Sequence, residues 1–295
     1  MKIDLQIQTT FSDGHDTPSE IIALAKQSGV SHIAITDHDT MDGVAEAMNA
    51  AKGTDIRVLA GAELSASYRE KRFHVLAYNI DKENKELNEF FQEIRSQFKE
   101  FFVETLLPWI NERLENDGKQ TASKEAYEKM PYKYFRGPGL GLFLQEQGIL
   151  KHMSEVFAYL EGCPRVVLKR SVQEVIDIIH GAGGVAVLSH PLGKGTSLKE
   201  ISHDTEEQHK VLEKFVSWGL DGLECYNPSH TKEANDQIRV WAKEFNIHIT
   251  AGSDWHGNIA KSGNTRSKLL PSYFDDFGGL VVPEEEIKEM IAWLF

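Results

Sequence analysis

From its first residues the chain alternates short apolar runs with segments of helical spacing, and that rhythm narrows the folds open to it more than any other feature. Apolar runs at 3–8, 32–36, 58–63 and 73–80 read as strands. Thr17-Pro18-Ser19-Glu20 opens a helix between the first two, and a second helix is expected over about 43–51. Beyond residue 164 the rhythm resumes, with helices over 171–180, 206–217, 231–245 and from 283, and strands over 185–189, 222–225 and 247–251. Strands that alternate with helices predict an α/β fold, a parallel sheet with helices outside it. The count is about seven strand and helix pairs, one short of an eightfold barrel.

The stretch 83–164 breaks the pattern. It is rich in Glu, Lys, Phe and Gln, has helical spacing and shows no convincing strand. It is expected to form a helical insertion subdomain on a discontinuous domain made of 1–82 and 165–295. Its middle, Phe135-Arg136-Gly137-Pro138-Gly139, reads as a loop, because two glycines around a proline do not continue a helix. A length of 295 residues suits one large domain carrying such an insertion.

Charge limits the partners. The chain has 45 acidic and 32 basic groups, a formal −13, which argues against a broad basic surface for nucleic acid and favours a small substrate over a long duplex. An anionic substrate would need bound cations to offset that field locally. Cys163 and Cys225 are too few and too far apart for a disulfide framework, so both are expected to be buried apolar residues in a reducing compartment. No basic segment followed by an apolar one opens the chain, and no long apolar run occurs. A soluble cytoplasmic protein, neither secreted nor membrane-spanning, is expected.

Six stretches place metal-binding residue types where an apolar strand runs or ends: Gln6, Gln8 and Asp13; His38; Glu63; His74; His190; Asp254 and His256. Side chains two apart on a strand share a face, so Asp4, Gln6 and Gln8 point one way while Ile3, Leu5 and Ile7 point the other. Burying an unpaired amide or carboxylate is costly, so this face should line a polar cavity or a cation. Taken singly, each of the other residues fits an ordinary structural role. Taken together they converge, because the C-terminal ends of parallel barrel strands meet on one face. Imidazole with carboxylate suits Zn, Mn or Fe, and carboxylates shared between ions build multinuclear hydrolytic sites. Metal-dependent hydrolysis is the reaction class these residues predict.

The motifs resemble the polymerase and histidinol phosphatase superfamily, PHP. The resemblance runs through Asp4-Leu5-Gln6-Ile7-Gln8-Thr9-Thr10-Phe11-Ser12-Asp13-Gly14, Ile35-Thr36-Asp37-His38-Asp39, Gly61-Ala62-Glu63, Phe73-His74, Ser189-His190-Pro191 and Gly252-Ser253-Asp254-Trp255-His256. It implies a distorted seven-stranded α/β barrel, TIM-like, that holds three divalent ions. By position, Glu63, His74 and His190 resemble the ligands of one ion, and Asp13, His38 and His256 those of another, with Glu63 bridging. A remaining ion would rest on Glu63, Asp254 and positions 6 and 8. There the family carries His-x-His, whereas this chain has Gln6 and Gln8. An amide oxygen is a weaker ligand than imidazole for zinc-like ions, so that corner is expected to be weak, altered toward Mn or Mg, or empty.

Related phosphoesterases tend to show Arg-Pro-His where this chain has Arg136-Gly137-Pro138-Gly139. Arg136 remains a candidate phosphate clamp. Lys169 and Arg170 are further candidates for phosphate contact. His230, beyond the strand 222–225, is a candidate proton donor to the leaving group. The candidate catalytic set is thus Asp254, His256, His230 and Arg136. The resemblance implies a phosphoesterase that uses two to three divalent ions and a metal-activated hydroxide on a nucleotide or short oligonucleotide end. The alternatives are an impaired relative that binds a phosphorylated metabolite, or a histidinol-phosphate-type phosphatase.

Overall fold

A computed structural model describes residues 1–193, 195–257 and 277–295. Seven strands form one sheet in chain order: β1 (Ile3–Ile7), β2 (His32–Ile35), β3 (Arg57–Tyr68), β4 (Lys71–Tyr78), β5 (Val185–Leu188), β6 (Gly222–Tyr226) and β7 (His248–Ala251). Neighbours pair parallel except at β4, which runs against both β3 and β5. The sheet is therefore mostly parallel, where the alternation predicts a wholly parallel one. The cause is local. β3 turns directly into β4 through Arg69 and Glu70, both left-handed at φ 48° and 61°, the hand a two-residue hairpin needs. β3 accordingly runs past Glu63 to Tyr68, so Glu63 sits inside the strand rather than at its end, and His74 faces Ser65 in the register.

The first and last strands also approach. Ile7 bridges Trp255, just beyond β7, and Gln8 N donates to Trp255 O at 2.8 Å while Trp255 N donates to Gln6 O at 3.2 Å. Gly252 permits this contact, since a Cβ there would lie 2.4 Å from the Cβ of Gln6. β1 is buried along its whole length and presents no wet face.

Helices connect the parallel strands, and their ends follow the sequence signals. Pro18–Ser28 starts with Thr17 and Glu20 in a reciprocal capping box and Pro18 in its first turn, and stops at Gly29. Val172–Gly181 uses the same box, built from Ser171 and Glu174. Among the described residues, the α-helices after β5 are Thr205–Ser217, Lys232–Glu244 and Glu284–Leu294. No helix among the described residues is long and apolar enough to cross a membrane.

The connection from β4 to β5 contains helices only, among the described residues, beginning with Lys85–Phe101. That helix lies antiparallel to Val172–Gly181: Asn84 at its start bonds Gly181 O at 2.9 Å, and Gln97 near its end accepts from Lys169 N at 2.9 Å. Phe90, Phe98, Tyr127 and Phe143 from this connection share one buried apolar cluster with Leu64, Phe73 and Leu188 of the sheet. A smaller cluster packs Ile21 and Val44 against Ile7 and Ile33. Both cysteines are free; Cys225 is buried and Cys163 only partly so.

Candidate metal centre

Glu63 is the hub. It is fully buried on β3, and its two oxygens face different histidines. Oε1 lies 2.8 Å from His74 Nδ1 and 3.5 Å from His190 Nε2, while Oε2 lies 3.5 Å from His38 Nδ1. The hairpin sets the first contact, because His74 stands on the neighbouring antiparallel strand two register steps from Glu63. Backbone pairing sets the others: Asp39 N donates to Glu63 O at 3.0 Å and Glu63 N to Asp37 O at 3.2 Å, which locks His38 alongside, and Ser189 N donates to His74 O at 3.1 Å just before His190.

A second group adjoins the first. Asp13 Oδ1 is 3.7 Å from His38 Nε2 and 3.4 Å from His256 Nε2. Asp13 is held there by its loop, which Asp37 pins through Thr9 N, Thr9 Oγ1 and Ser12 Oγ, each at 2.7 Å. Asp254 lies beside His256, with Oδ1 3.7 Å from Nδ1. His190 and Asp254 both hold left-handed backbone, φ 29° and 53°, conformations that cost free energy in non-glycine residues and gather at functional sites.

These two groups fit divalent cations. Asp13 Oδ1, His38 Nδ1, His74 Nε2 and His190 Nδ1 are buried without a hydrogen-bond partner, a set of orphans that a cation would satisfy. Burial takes His74 down to a pKa of about 4 and holds His38 well below its ordinary value, so both imidazoles are neutral and present lone pairs. Ligands at metal-bond length stand roughly 3 Å apart around one ion, the scale of the Glu63–His74 contact. Two triads, Asp13–His38–His256 and His38–Glu63–His74, place their ligand atoms within 4.8 Å of one another.

At the third corner the two glutamines face Glu63 with their amide donors, while Gln8 Oε1 is left without a partner. Gln8 Nε2 donates to Glu63 Oε2 at 2.6 Å, and Gln6 Nε2 donates to Ser189 Oγ at 2.9 Å, which in turn donates to Glu63 Oε1 at 3.1 Å. Gln6 Oε1 accepts from Asn227 at 3.2 Å. Gln8 thus touches Glu63 directly and Gln6 reaches it through Ser189. Near Gln6, burial raises the pKa of Asp4 to about 7 and pushes that of Glu224 well above the carboxylate range.

The other candidates stand further out. Arg136 is 3 % exposed, and its Nη1 donates to Asp39 Oδ2 and Ser65 Oγ, both at 2.9 Å, so it braces the loop after β2. Its neighbour Gly137 touches the site directly: at φ +41°, a Cβ there would lie 2.7 Å from Asp13 Oδ2. His230 Nδ1 faces Cys225 O at 2.9 Å, and burial lowers its pKa to about 4. Arg170 is engaged by Glu93 at 2.7 Å and Glu174 at 3.4 Å. The sequence reasoning missed Asp37, Asp39, Ser65, Ser189, Glu224 and Asn227, which orient the ligands. Asp37, Asp39 and Ser189 stand inside the quoted motifs without a role assigned to them, and Glu224 left its own signal as a lone carboxylate within Gly222–Tyr226.

Comparison with known proteins places this geometry. Residues 4–179 match the profile described as PHP domain, more than half of the chain. A 5'-3' exoribonuclease of Haemophilus influenzae is 29 % identical over 86 % of this chain and 90 % of its own length. A 3',5'-nucleoside bisphosphate phosphatase of Chromobacterium violaceum is 28 % identical over 86 % of this chain and 87 % of its own. Among solved structures, a chain assigned as a metal-dependent phosphoesterase from Bifidobacterium adolescentis superposes with a TM-score of 0.75 at 25 % identity, covering 98 % of this chain and 95 % of its own. The chain belongs to the PHP domain family.

Proposed function

We propose that this chain is a metal-dependent phosphoesterase that hydrolyses a phosphate ester of a nucleotide or short oligonucleotide end. The observation that carries the reading is Glu63, fully buried yet flanked on both oxygens by neutral or lone-pair-bearing imidazoles. In this reading Glu63, His74 and His190 hold one divalent ion and Asp13, His38 and His256 a second, with Glu63 shared. Such ions, Mn, Zn or Fe, supply Lewis acidity to a phosphoryl oxygen and a nucleophile near neutral pH. Gln6 and Gln8 orient Glu63 by hydrogen bonds instead of holding a third ion. Asp254 is the carboxylate left beside the pair to accept a proton. Arg136 positions the loop that bears Gly137 over Asp13. His230, neutral near pH 7, presents its Nε2 lone pair as a hydrogen-bond acceptor in the wall rather than acting as the acid for the leaving group. The names of the relatives support the substrate class, and the acidic balance of −13 suits a small substrate. The same reading takes the sheet as a distorted seven-stranded barrel joined at Ile7 and Trp255, formed by 1–82 and 165–295, with 83–164 as a helical insertion.

The test strips the protein with chelator, reloads it with Mn, Zn, Fe or Mg, and assays an aryl phosphate, a nucleoside 3',5'-bisphosphate and a short 5'-phosphorylated RNA. Metal-dependent release of phosphate or nucleotide from at least one is expected. Uptake of two ions with no ester cleaved would leave a binding protein for a phosphorylated metabolite in its place.

A further inference from the structure

Gln8 follows β1 directly and is fully buried. Its Nε2 donates to Glu63 Oε2 at 2.6 Å and to Thr36 O at 3.4 Å. A backbone carbonyl only accepts, so these contacts settle which end of the amide is nitrogen and which is oxygen. The oxygen end, Oε1, is buried and has no hydrogen-bond partner. Gln6, two residues back on the same face, differs: its Nε2 donates to Ser189 Oγ and its Oε1 accepts from Asn227, so both of its ends are met within the protein.

A buried amide oxygen without a donor costs free energy. Whatever answers it must do so beside Glu63, because the other end of the same amide touches Glu63 Oε2. An ionised phosphate oxygen has no proton to give. A zinc-like cation is better served by carboxylate and imidazole than by a lone neutral amide. Water fits both demands of the position, since it donates a hydrogen to Oε1 and keeps a lone pair free. Side-chain amides orient the attacking water in other phosphoryl-transfer sites. Being very weak bases, they aim the water without taking its proton.

We propose that Gln8 Oε1 accepts a hydrogen bond from the water that attacks the phosphate ester and so sets its line of approach. The proposal rests on the phosphoesterase reading and adds to it the residue that positions the nucleophile. In the step, the water oxygen bonds to phosphorus as the bond from phosphorus to the ester oxygen breaks. One proton of the water passes to Asp254 and from there to the departing ester oxygen, which leaves with its electron pair as an alcohol. The proton held toward Gln8 stays on the new phosphate oxygen.

The test compares two anions on manganese-loaded protein by calorimetry. Vanadate takes up the five-coordinate geometry of the attack with a hydroxyl in the place of the water, whereas methylphosphonate is tetrahedral and has no group there. The wild type should bind vanadate at least ten-fold more tightly than methylphosphonate. Gln8→Met should cut that preference at least ten-fold, with the manganese content by elemental analysis equal to that of the wild type. Gln6→Met should lower the two affinities together. If Gln8→Met does not fold, as judged by its melting transition, Gln8→Asn decides the matter, because its shorter arm withdraws the oxygen: a wild-type preference in that variant overturns the proposal. Loss of an ion with Gln8→Met also overturns it, since Oε1 would then be a metal ligand, and so does a wild type with no preference for vanadate. Hydrolysis of an aryl phosphate with a preference that does not depend on Gln8 would keep the enzyme reading and overturn this one. No metal-dependent binding of either anion would overturn both.

Discussion

Gln8 donates its amide to Glu63 across 2.6 Å, the shortest hydrogen bond that the central carboxylate makes. A cation and an amide N–H compete for the same oxygen, so the amide stands where positive charge would otherwise be supplied. Replacing Gln6 and Gln8 together by histidine should add one bound ion per chain, read by elemental analysis after dialysis, and raise the rate of aryl phosphate hydrolysis. An unchanged metal content would mean that the amides do not exclude the third ion.

In the proposed assignment Glu63 is shared between the two ions, whereas His74 holds one. Glu63→Gln should empty both and lower kcat/KM beyond the ~10²-fold loss typical of removing an outer-shell partner. His74→Ala should release one ion and keep the one on Asp13, His38 and His256. Equal metal loss in the two variants would argue against a shared carboxylate.

Asp4 gives a pH signature. Its folded-state pKa is raised from 3.8 to about 7 by burial, so between those values the native state keeps a proton that the unfolded chain has released. The stability contributed by this group is complete below pH 3.8 and is lost as the pH rises through about 7. Asp4→Asn cannot ionise. In metal-free protein, urea unfolding should show the variant gaining on the wild type by roughly 4 kcal/mol between about pH 4 and pH 8, at ~1.4 kcal/mol per pKa unit. A pH-independent difference would place Asp4 in contact with solvent or with a cation.

The loop at Arg136 and Gly137 should separate stability from binding. Arg136→Ala leaves Asp39 buried without its ion-pair partner and should cost about 3 kcal/mol in unfolding free energy. Gly137→Ala places a methyl group against Asp13 on left-handed backbone. It should weaken the ion on Asp13, His38 and His256 more than the one on Glu63, His74 and His190, which competitive metal titration would resolve. Equal weakening of the two would show that the loop does not act through Asp13.

Much of this was legible because helix ends and apolar runs carry local signals: Thr17 with Glu20 and Ser171 with Glu174 mark their helices outright. The direction of β4 was not. Its hairpin turns on Arg69 and Glu70, side chains that normally avoid left-handed backbone, so the sequence lacks the Asn-Gly or Asp-Gly signature of such a turn. The expected metal-binding residues stood out because imidazoles and carboxylates interrupt apolar strands. The groups that aim them did not, because Asp37, Ser65 and Ser189 act only through partners far away in sequence, such as Ser189 on Glu63. Arg136 reads as a candidate phosphate clamp, and its Nη1 bond to Asp39, far away in sequence, left no local signal.

The reversal of β4 has a topological consequence. Tyr78, its last residue, is level with Val185 at the start of β5, whereas Ser171 pairs beside Ser67 at the far end of the hairpin. The excursion from β4 to β5 thus leaves and re-enters the sheet at one rim but touches the other at Ser171, with Lys85–Phe101, about 25 Å of helix, making the ascent and Val172–Gly181 the return. Everything from Phe102 to Lys169 is then hung between that ascent and return, and it reaches back to the strands through Arg136 on Asp39 and Ser65, Gly137 against Asp13, and Tyr127 and Phe143 in the shared core. A change of length in that stretch would therefore be felt first at Asp13 and the loop after β2.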